Sequence, residues 1–313
     1  MSGAPVVSVV IPAYNAADFI GRTLDSVRAQ TFTGHETVVV DDGSTDATAD
    51  VVRAYLSRHG MRGQLIGQQN RGIAAARNTG MRAAGGTYIA LLDHDDLWYP
   101  DKLSAVLAEF DRHPDAALIC HDENITRNGV VVRVARRRPP RGSLYDALLF
   151  DGNVLSPSAT TLRRDRALDI GGFDERPEYS TVEDYDFWMR FSRTAEVRFL
   201  PRVLGEYVLV ERAASRRIVF HHAALERMLN DHFAAYLDGP AGIALRMRVR
   251  RRLARVYRSA ARQLMAHGEA AREQQALIRR MLMTYPLELR NIAVAAIWVM
   301  TTLRRQSATA SHS

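Results

Sequence analysis

The sequence predicts an α/β fold: a mostly parallel central sheet flanked by helices on both faces, followed by a helical C-terminal extension. Three observations carry this expectation. Apolar runs of strand length alternate with segments of helical spacing through the first 120 residues, aspartate-rich turns follow two of the strand-like runs, and from about residue 215 the spacing is helical. At 313 residues, with 47% hydrophobic and 25% charged content, the chain can bury a large core, which excludes a disordered protein. The expected division is residues 1–215 as the α/β unit and 216–313 as a basic helical region.

Residues 6–11 form an all-apolar run broken only by Ser8 and stopped by Pro12, after which Phe19, Ile20, Leu24 and Val27 recur at helical spacing. A second strand over 36–40 turns through Asp41-Asp42-Gly43-Ser44-Thr45-Asp46 into a helix whose apolar face is Val51, Val52, Tyr55 and Leu56. Residues 64–66 read as a short third strand, 73–84 as an alanine-rich helix, 88–92 as a fourth strand and 116–120 as a fifth. In such sheets ligands bind at the carboxyl ends of the strands, where both acidic turns fall. Beyond residue 120 the pattern changes. Residues 129–134 suggest an edge strand, 158–162 and 203–210 further strands, and Arg136 to Gly142 a basic loop whose prolines exclude a helix interior. That loop suits a lid over a diphosphate, a contact for an anionic acceptor, or a plain solvated loop.

Lys102 is the only lysine, so 41 of the 42 basic residues are arginine, which reads as coding bias. The net charge of +7 is uneven: residues 241–313 hold 14 arginines against 3 acidic residues, leaving the first 240 residues at −4. The high pI therefore belongs to the tail, and nothing marks the body as a nucleic-acid binder. Cys120 lies alone in an apolar run, which excludes an intrachain disulfide and suits a reducing compartment. No secretory signal is visible at the N-terminus, and a cytoplasmic protein is expected. Between Val249 and Leu264, Arg251, Arg255, Arg258 and Arg262 share one face of an amphipathic helix, either solvated or laid on anionic lipid. Asn291 to Leu303 is apolar and too short to span a bilayer, and fits a dimer contact or a membrane surface.

The densest chemistry is Asp93-His94-Asp95-Asp96, at the end of the fourth strand. Carboxylates about 4 Å apart repel by roughly 4 kcal/mol in an intermediate dielectric, so a cluster of three calls for a cation. Asp93 and Asp95, at i and i+2, share one side of an extended segment, and hard oxygen ligands favour Mg2+ or Mn2+ over zinc. The competing reading is a cap on the helix that follows. A second acidic group, Glu183-Asp184, opens a helix after Gly171-Gly172-Phe173-Asp174-Glu175. It fits either dipole capping or a carboxylate general base. Trp188, one turn on, reads as core or as a platform for an acceptor sugar.

Taken in order, residues 7–15, Val40 to Asp46, Asn70-Arg71-Gly72 through Ala76-Arg77-Asn78-Thr79-Gly80, Leu92 to Asp96, and Glu183-Asp184 resemble the motifs of family 2 inverting glycosyltransferases with the GT-A fold. The resemblance covers roughly residues 6–210 and departs from the commoner pattern after Tyr207, at Val208-Leu209-Val210-Glu211-Arg212. It implies that Pro12, Tyr14 and Asn15 lie against the nucleotide, with Asp42 accepting from the base, usually uracil. Asn70, Gly72, Arg77 and Asn78 would line the rest of that pocket. Asp93 would lie near the ribose and sugar, Asp95 would bind the metal bridging the phosphates, and Asp184 would be the catalytic base, with Glu183 beside the acceptor.

The function implied is metal-dependent transfer from a nucleotide-sugar, usually a UDP-sugar, to a hydroxyl of a glycan or lipid-linked acceptor in bacterial cell-surface polysaccharide synthesis. The tail would serve an anionic membrane surface, placing the protein peripherally on the inner face of the cell membrane, or a homodimer. His221 and His222 lie near the departure from the pattern, and as neighbours on a helix they do not share a face. A sugar nucleotidyltransferase and a non-catalytic nucleotide-sugar-binding scaffold are the competing readings.

Overall fold

Seven consecutive buried residues make β1 (Val7–Ala13) the centre of the sheet, with β2 (His35–Asp41) parallel on one side and β4 (Tyr88–Leu91) parallel on the other. β3 (Gly63–Gly67) extends the parallel part beyond β2. The remaining strands are β5 (Leu97–Trp98), β6 (Ala116–Arg127), β7 (Val130–Ala135), β8 (Thr160–Arg163) and β9 (Glu196–Val208). The sheet order is β3-β2-β1-β4-β8-β6-β9-β5, with β7 paired to β6 off this path. β8 runs antiparallel to both β4 and β6, so the sheet is parallel through its first four strands and mixed beyond them.

Helices α1 (Ile20–Arg28), α2 (Thr48–His59), α3 (Ile73–Ala83) and α4 (Lys102–Arg112) flank the sheet. Ile20, Leu24 and Val27 of α1 and Val52 of α2 join β1 and β2 in one core cluster. Gly80 allows α3 to lie close on β1, since any side chain there would strike Val10. Three shorter helices, α5 (Leu144–Phe150), α6 (Arg164–Asp169) and α7 (Glu183–Phe191), follow. Asp42, Asp93 and Asp184 all belong to this part of the chain.

β6 continues seven residues past Cys120, the expected end of the strand, through Asp122 and Glu123. Both acids are buried and answered from the basic loop: Arg137 donates to Glu123 at 2.9 Å and Arg138 to Asp122 at 3.0 Å. Those two arginines are therefore fastened to the sheet, which counts against the lid among the three readings of the loop. β9 begins at Glu196 rather than 203, with Pro201 inside it. The register there jumps from His121↔Leu200 to Asp122↔Val203, so the proline sits in a bulge where no donor is required.

The structure describes residues 4–209, 215–237, 242–268 and 270–310, and the chain divides into two units. One comprises Met1–Leu148 and Gly152–Glu211, the other Leu149–Asp151 and Arg212–Ser313. Residues 210–212, where the sequence departs from the family pattern, lie outside the described residues. The second unit is built from α8 (Ser215–Tyr236), α9 (Ile243–His267), α10 (Ala271–Thr284) and α11 (Leu289–Ala310), around Ala254, Tyr257, Ala261, Ile278, Met281 and Val294. The basic face expected of α9 is only partly solvated. Arg258 turns inward to Glu288 at 2.9 Å and Asn291 at 2.8 Å, and Arg255 reaches the Phe150 carbonyl. His222 of α8 is buried with Nδ1 on the Ile218 carbonyl at 2.8 Å, a structural role. Among the described residues no helix is long and apolar enough to cross a membrane.

Candidate active site

The carboxyl ends of β1, β2 and β4 lie side by side: Ala13 registers with Asp41, the Asp42 amide donates to the Ala13 carbonyl at 2.9 Å, and the Leu92 amide donates to Val10 at 3.1 Å. Strand geometry thus brings Pro12, Asp42 and Asp93 to one edge. Asp42 is buried and organises the loop opposite: its carboxylate accepts from Gln68 Nε2 at 2.7 Å and from the amides of Arg71 and Gly72 at 2.9 and 2.8 Å. Gly72 has φ 88° and ψ 164°, a region essentially reserved for glycine, and that conformation aims its amide at Asp42. Asn15, at φ 48°, ties the first two strand ends together, its amide donating to Ser44 Oγ at 3.0 Å and its Oδ1 accepting from the Thr45 amide at 2.9 Å. Tyr14 and Asn70 are exposed, while Pro12 is buried with its carbonyl 3.2 Å from His94 Nδ1.

Arg77 is 2% exposed, and its fork joins the two acidic motifs: one nitrogen reaches Asp93 Oδ1 at 2.8 Å and the other Glu183 Oε1 at 2.7 Å. Burial alone would lower its pKa, but the charges of Asp93, Glu183 and Asp184 outweigh burial and raise it, so it is a permanent cation. This corrects the expectation that Arg77 lines the nucleotide pocket, because both ends of the fork are engaged below the surface. Asn78 is corrected likewise. Its amide is buried, accepting from the Phe173 amide at 2.8 Å and donating to the Phe173 carbonyl at 2.8 Å and to Glu175 at 2.9 Å. It clamps the segment before α7 instead of facing a ligand.

Asp184, at the start of α7, is partly buried beside this bridge, with Oδ1 accepting from the Tyr185 amide at 2.7 Å. Burial, reinforced by the Glu183 carboxylate, pushes the Asp184 carboxyl up to about 7 against the opposing pull of Arg77. A carboxyl titrating near neutrality is suited to accept a proton. Trp188 takes the core reading of the two: it is 1% exposed and packs edge-on against Phe173 and Phe187, leaving no open face for an acceptor sugar.

Three more residues take roles that the sequence reading did not assign to them. Asp96 is buried and braces the acidic turn, accepting from Ser158 Oγ at 2.5 Å and from the Val208 amide at 2.9 Å, while Ser158 Oγ accepts from the Asp93 amide at 3.1 Å. Burial and the neighbouring Asp93 hold its pKa well above the ordinary carboxylate range. The Tyr207 phenol is held above its ordinary range by partial burial and then by the negative charge of Asp96, Asp93, Asp95 and Asp184. Lys102 is fully buried, its Nζ 3.6 Å above the Trp98 ring and donating to Thr161 Oγ1 at 2.8 Å. Its status as the only lysine was a usable signal; the partners of Asp96, more than 60 residues away, left none.

Asp93 and Asp95 are the residues that could hold a divalent cation. Among the described residues no cluster of three or more His, Cys, Asp or Glu forms a protein-only cage. Two half-buried carboxylates, one oxygen of Asp93 already on Arg77, fit an ion whose remaining ligands come from substrate phosphates and water, as Mg2+ and Mn2+ prefer. Asp95 also borders a cavity of about 220 Å³ with Arg22, Asn128 and Leu209.

A family model described as Glycosyl transferase family 2 matches residues 8–171. The chain is 32% identical over 211 residues to chondroitin synthase of Escherichia coli, covering 66% of this chain and 29% of that protein. It is 33% identical over 219 residues to the amylovoran biosynthesis glycosyltransferase AmsB of Erwinia amylovora, covering 67% and 71%. The chain thus spans under a third of the first of these relatives, and 63% of an uncharacterized glycosyltransferase of Rickettsia typhi. Among solved structures, TarS of S. aureus in complex with UDP-GlcNAc superposes with a TM-score of 0.66 at 21% identity, covering 92% of this chain and 83% of that one. The mannosyltransferase PcManGT of Pyrobaculum calidifontis, in complex with GDP-Man and Mn2+, gives 0.61 at 19%, covering 96% and 81%. At these identities the two structures establish likeness of fold.

Proposed function

Because this chain is a member of glycosyltransferase family 2 with the GT-A fold, we propose that it transfers a sugar from a nucleotide-sugar, best fitted by a UDP-sugar, to a hydroxyl of a glycan or lipid-linked acceptor in bacterial surface-polysaccharide synthesis. The observation that carries this reading is the Arg77 bridge, which fixes the acidic end of β4 and the candidate base at the start of α7 in one constellation.

In this mechanism Tyr14 and Asn15 form the rim over which the nucleotide lies. Asp42 has a lone pair left on Oδ2 beyond its bond to Gly72 and accepts from the base, which discriminates against bases lacking a donor there. Asn70 and Gly72 edge the same pocket through backbone and amide groups. Asp93 meets the ribose and sugar, and Asp93 with Asp95 would hold the Mn2+ or Mg2+. When bound, that ion supplies positive charge against the leaving diphosphate. Asp184 takes the proton of the acceptor hydroxyl as the oxygen bonds to the anomeric carbon. The bond from that carbon to the diphosphate oxygen breaks on the opposite side, its electron pair departing with the nucleoside diphosphate, and configuration inverts. Glu183, with Oε2 buried and unbonded, keeps Asp184 basic by its charge. A cytoplasmic site of action is part of the same reading, and the buried free thiol of Cys120 suits it.

Calorimetric titration of UDP and competing nucleotides into wild type and Asp95→Ala, with and without Mn2+, tests the donor half. Manganese-dependent UDP binding that is lost in Asp95→Ala is expected. Preference for another nucleotide would change the donor, and binding indifferent to both manganese and Asp95 would remove the metal role.

A further inference from the structure

The exposed side of α11 carries the wrong chemistry for water. Leu289, Ile292, Ile297, Val299 and Met300 are 81%, 49%, 47%, 47% and 53% exposed, and Arg290 is the only charged residue between Leu289 and Thr302. A solvated helix normally sets charged residues on that side. The apolar surface continues into the turn between α10 and α11, where Leu287 is 84% exposed, and onto the end of α10, where Met283 is 67% exposed. Single exposed apolar residues are ordinary, but a contiguous set of this kind marks a contact.

What surrounds this surface identifies its occupant. Arg250 donates to the Thr284 carbonyl at 2.9 Å, and Arg251 and Arg258 both pair with Glu288, at 3.6 and 2.9 Å, so one carboxylate answers two guanidinium groups at the foot of the apolar corner. Arg258 continues into a groove of about 420 Å³ shared with Arg255, Ser259 and the exposed Arg262. Across residues 241–313 the balance is 14 arginines to 3 acidic residues. Two copies of so cationic a region repel each other, whereas a surface of phosphate headgroups neutralises it and accepts the apolar side chains beneath. Among the described residues no helix is long and apolar enough to cross a bilayer, and a helix with one apolar face beside basic residues is suited to lie in the interface.

We propose that the apolar turn between α10 and α11 and the exposed face of α11 seat this protein on an anionic lipid surface, with Leu287, Leu289 and Ile292 entering the headgroup layer and the collar of Arg250, Arg251, Arg262 and Arg290 contacting phosphates. The test is co-sedimentation of the full chain with vesicles of phosphatidylcholine alone and of phosphatidylcholine with phosphatidylglycerol, in low and high salt, for wild type, Leu287→Asp/Leu289→Asp/Ile292→Asp and Arg262→Glu/Arg290→Glu. All substituted positions are exposed, and circular dichroism verifies the helices. Wild type is expected to bind only the anionic vesicles, with affinity falling tenfold or more in the aspartate variant and several-fold in high salt or in the glutamate variant. Equal binding by wild type and the aspartate variant, or no binding by wild type, would overturn the proposal. So would a wild-type dimer in analytical ultracentrifugation that the aspartate variant dissociates while vesicle binding is absent, which would make a second copy the occupant.

Discussion

Arg77 shows how one buried residue can decide the chemistry of several others. Among the described residues its guanidinium is the counter-charge bonded to both Asp93 and Glu183, and it also restrains the upward shift of Asp184. Arg77→Met leaves those carboxylates unanswered. Breaking a buried pair in this way costs about 3–5 kcal/mol, so the urea midpoint of the first unit should fall sharply. Arg77→Lys should recover only part, because a point charge cannot span two acids held by a fork. The Asp184 carboxyl sets the pH dependence. With a folded pKa of about 7, raised from the ordinary value of 3.8, it is protonated at acid pH and unable to act as a base. Turnover should therefore fall about tenfold per pH unit below that value and level off above it. A profile flat from pH 5 to 8 would place the base elsewhere. At this scale residue types and motif order made Asp42, Asp93, Asp95 and Asp184 legible in the sequence. The inward turn of Arg77 and Asn78 was not, since an arginine suited to a diphosphate and one buried between acids look the same in one dimension.

Among the elements, the turn after β4 and the loop before α3 do the positioning. Asp96 holds the first by accepting from Ser158 and from the Val208 amide, tying β4, the segment before β8 and the end of β9 together. Asp96→Ala leaves two buried donors without partners, at roughly 1–3 kcal/mol each, and should lower stability measurably by urea unfolding. Gly72 holds the second. Gly72→Ala forces a side chain into a glycine-only conformation, costing about 1–3 kcal/mol, and the loop should yield before the fold does. The expected outcome is weaker nucleotide binding in calorimetry with a small change in melting temperature. The parallel strands and their helices were readable because each is an uninterrupted apolar run or an amphipathic stretch. β6 was foreshortened because Asp122 and Glu123 look like an end until Arg137 and Arg138 are seen to answer them, and β9 because Pro201 occupies a bulge. α5 and α6, at 7 and 6 residues, are too short for periodicity to register.

For the molecule as a whole, the two units have separate hydrophobic cores, one around β1 and one around Tyr257 and Met281. Met281 is fully buried, so Met281→Ala should remove about 2–5 kcal/mol from the second core. The nucleotide binding proposed for the first should be unchanged. Calorimetric unfolding should show a shifted component beside an unshifted one, and a single transition moving as a whole would mean that the units unfold together. The uneven charge was visible in the sequence at once. That several tail arginines turn inward while an apolar face is left outside follows from how α9, α10 and α11 pack.

The most direct test of the central claim is a comparison of wild type with Asp184→Asn, measuring donor binding and donor turnover, to acceptor or to water, as released nucleoside diphosphate. Asparagine keeps the size of the side chain and removes its basicity. Donor affinity should stay within a few-fold of wild type, while turnover falls by about 10²–10⁴. Near-wild-type turnover in Asp184→Asn would contradict the assignment of Asp184 as the base and, with it, the role given to the Arg77 bridge.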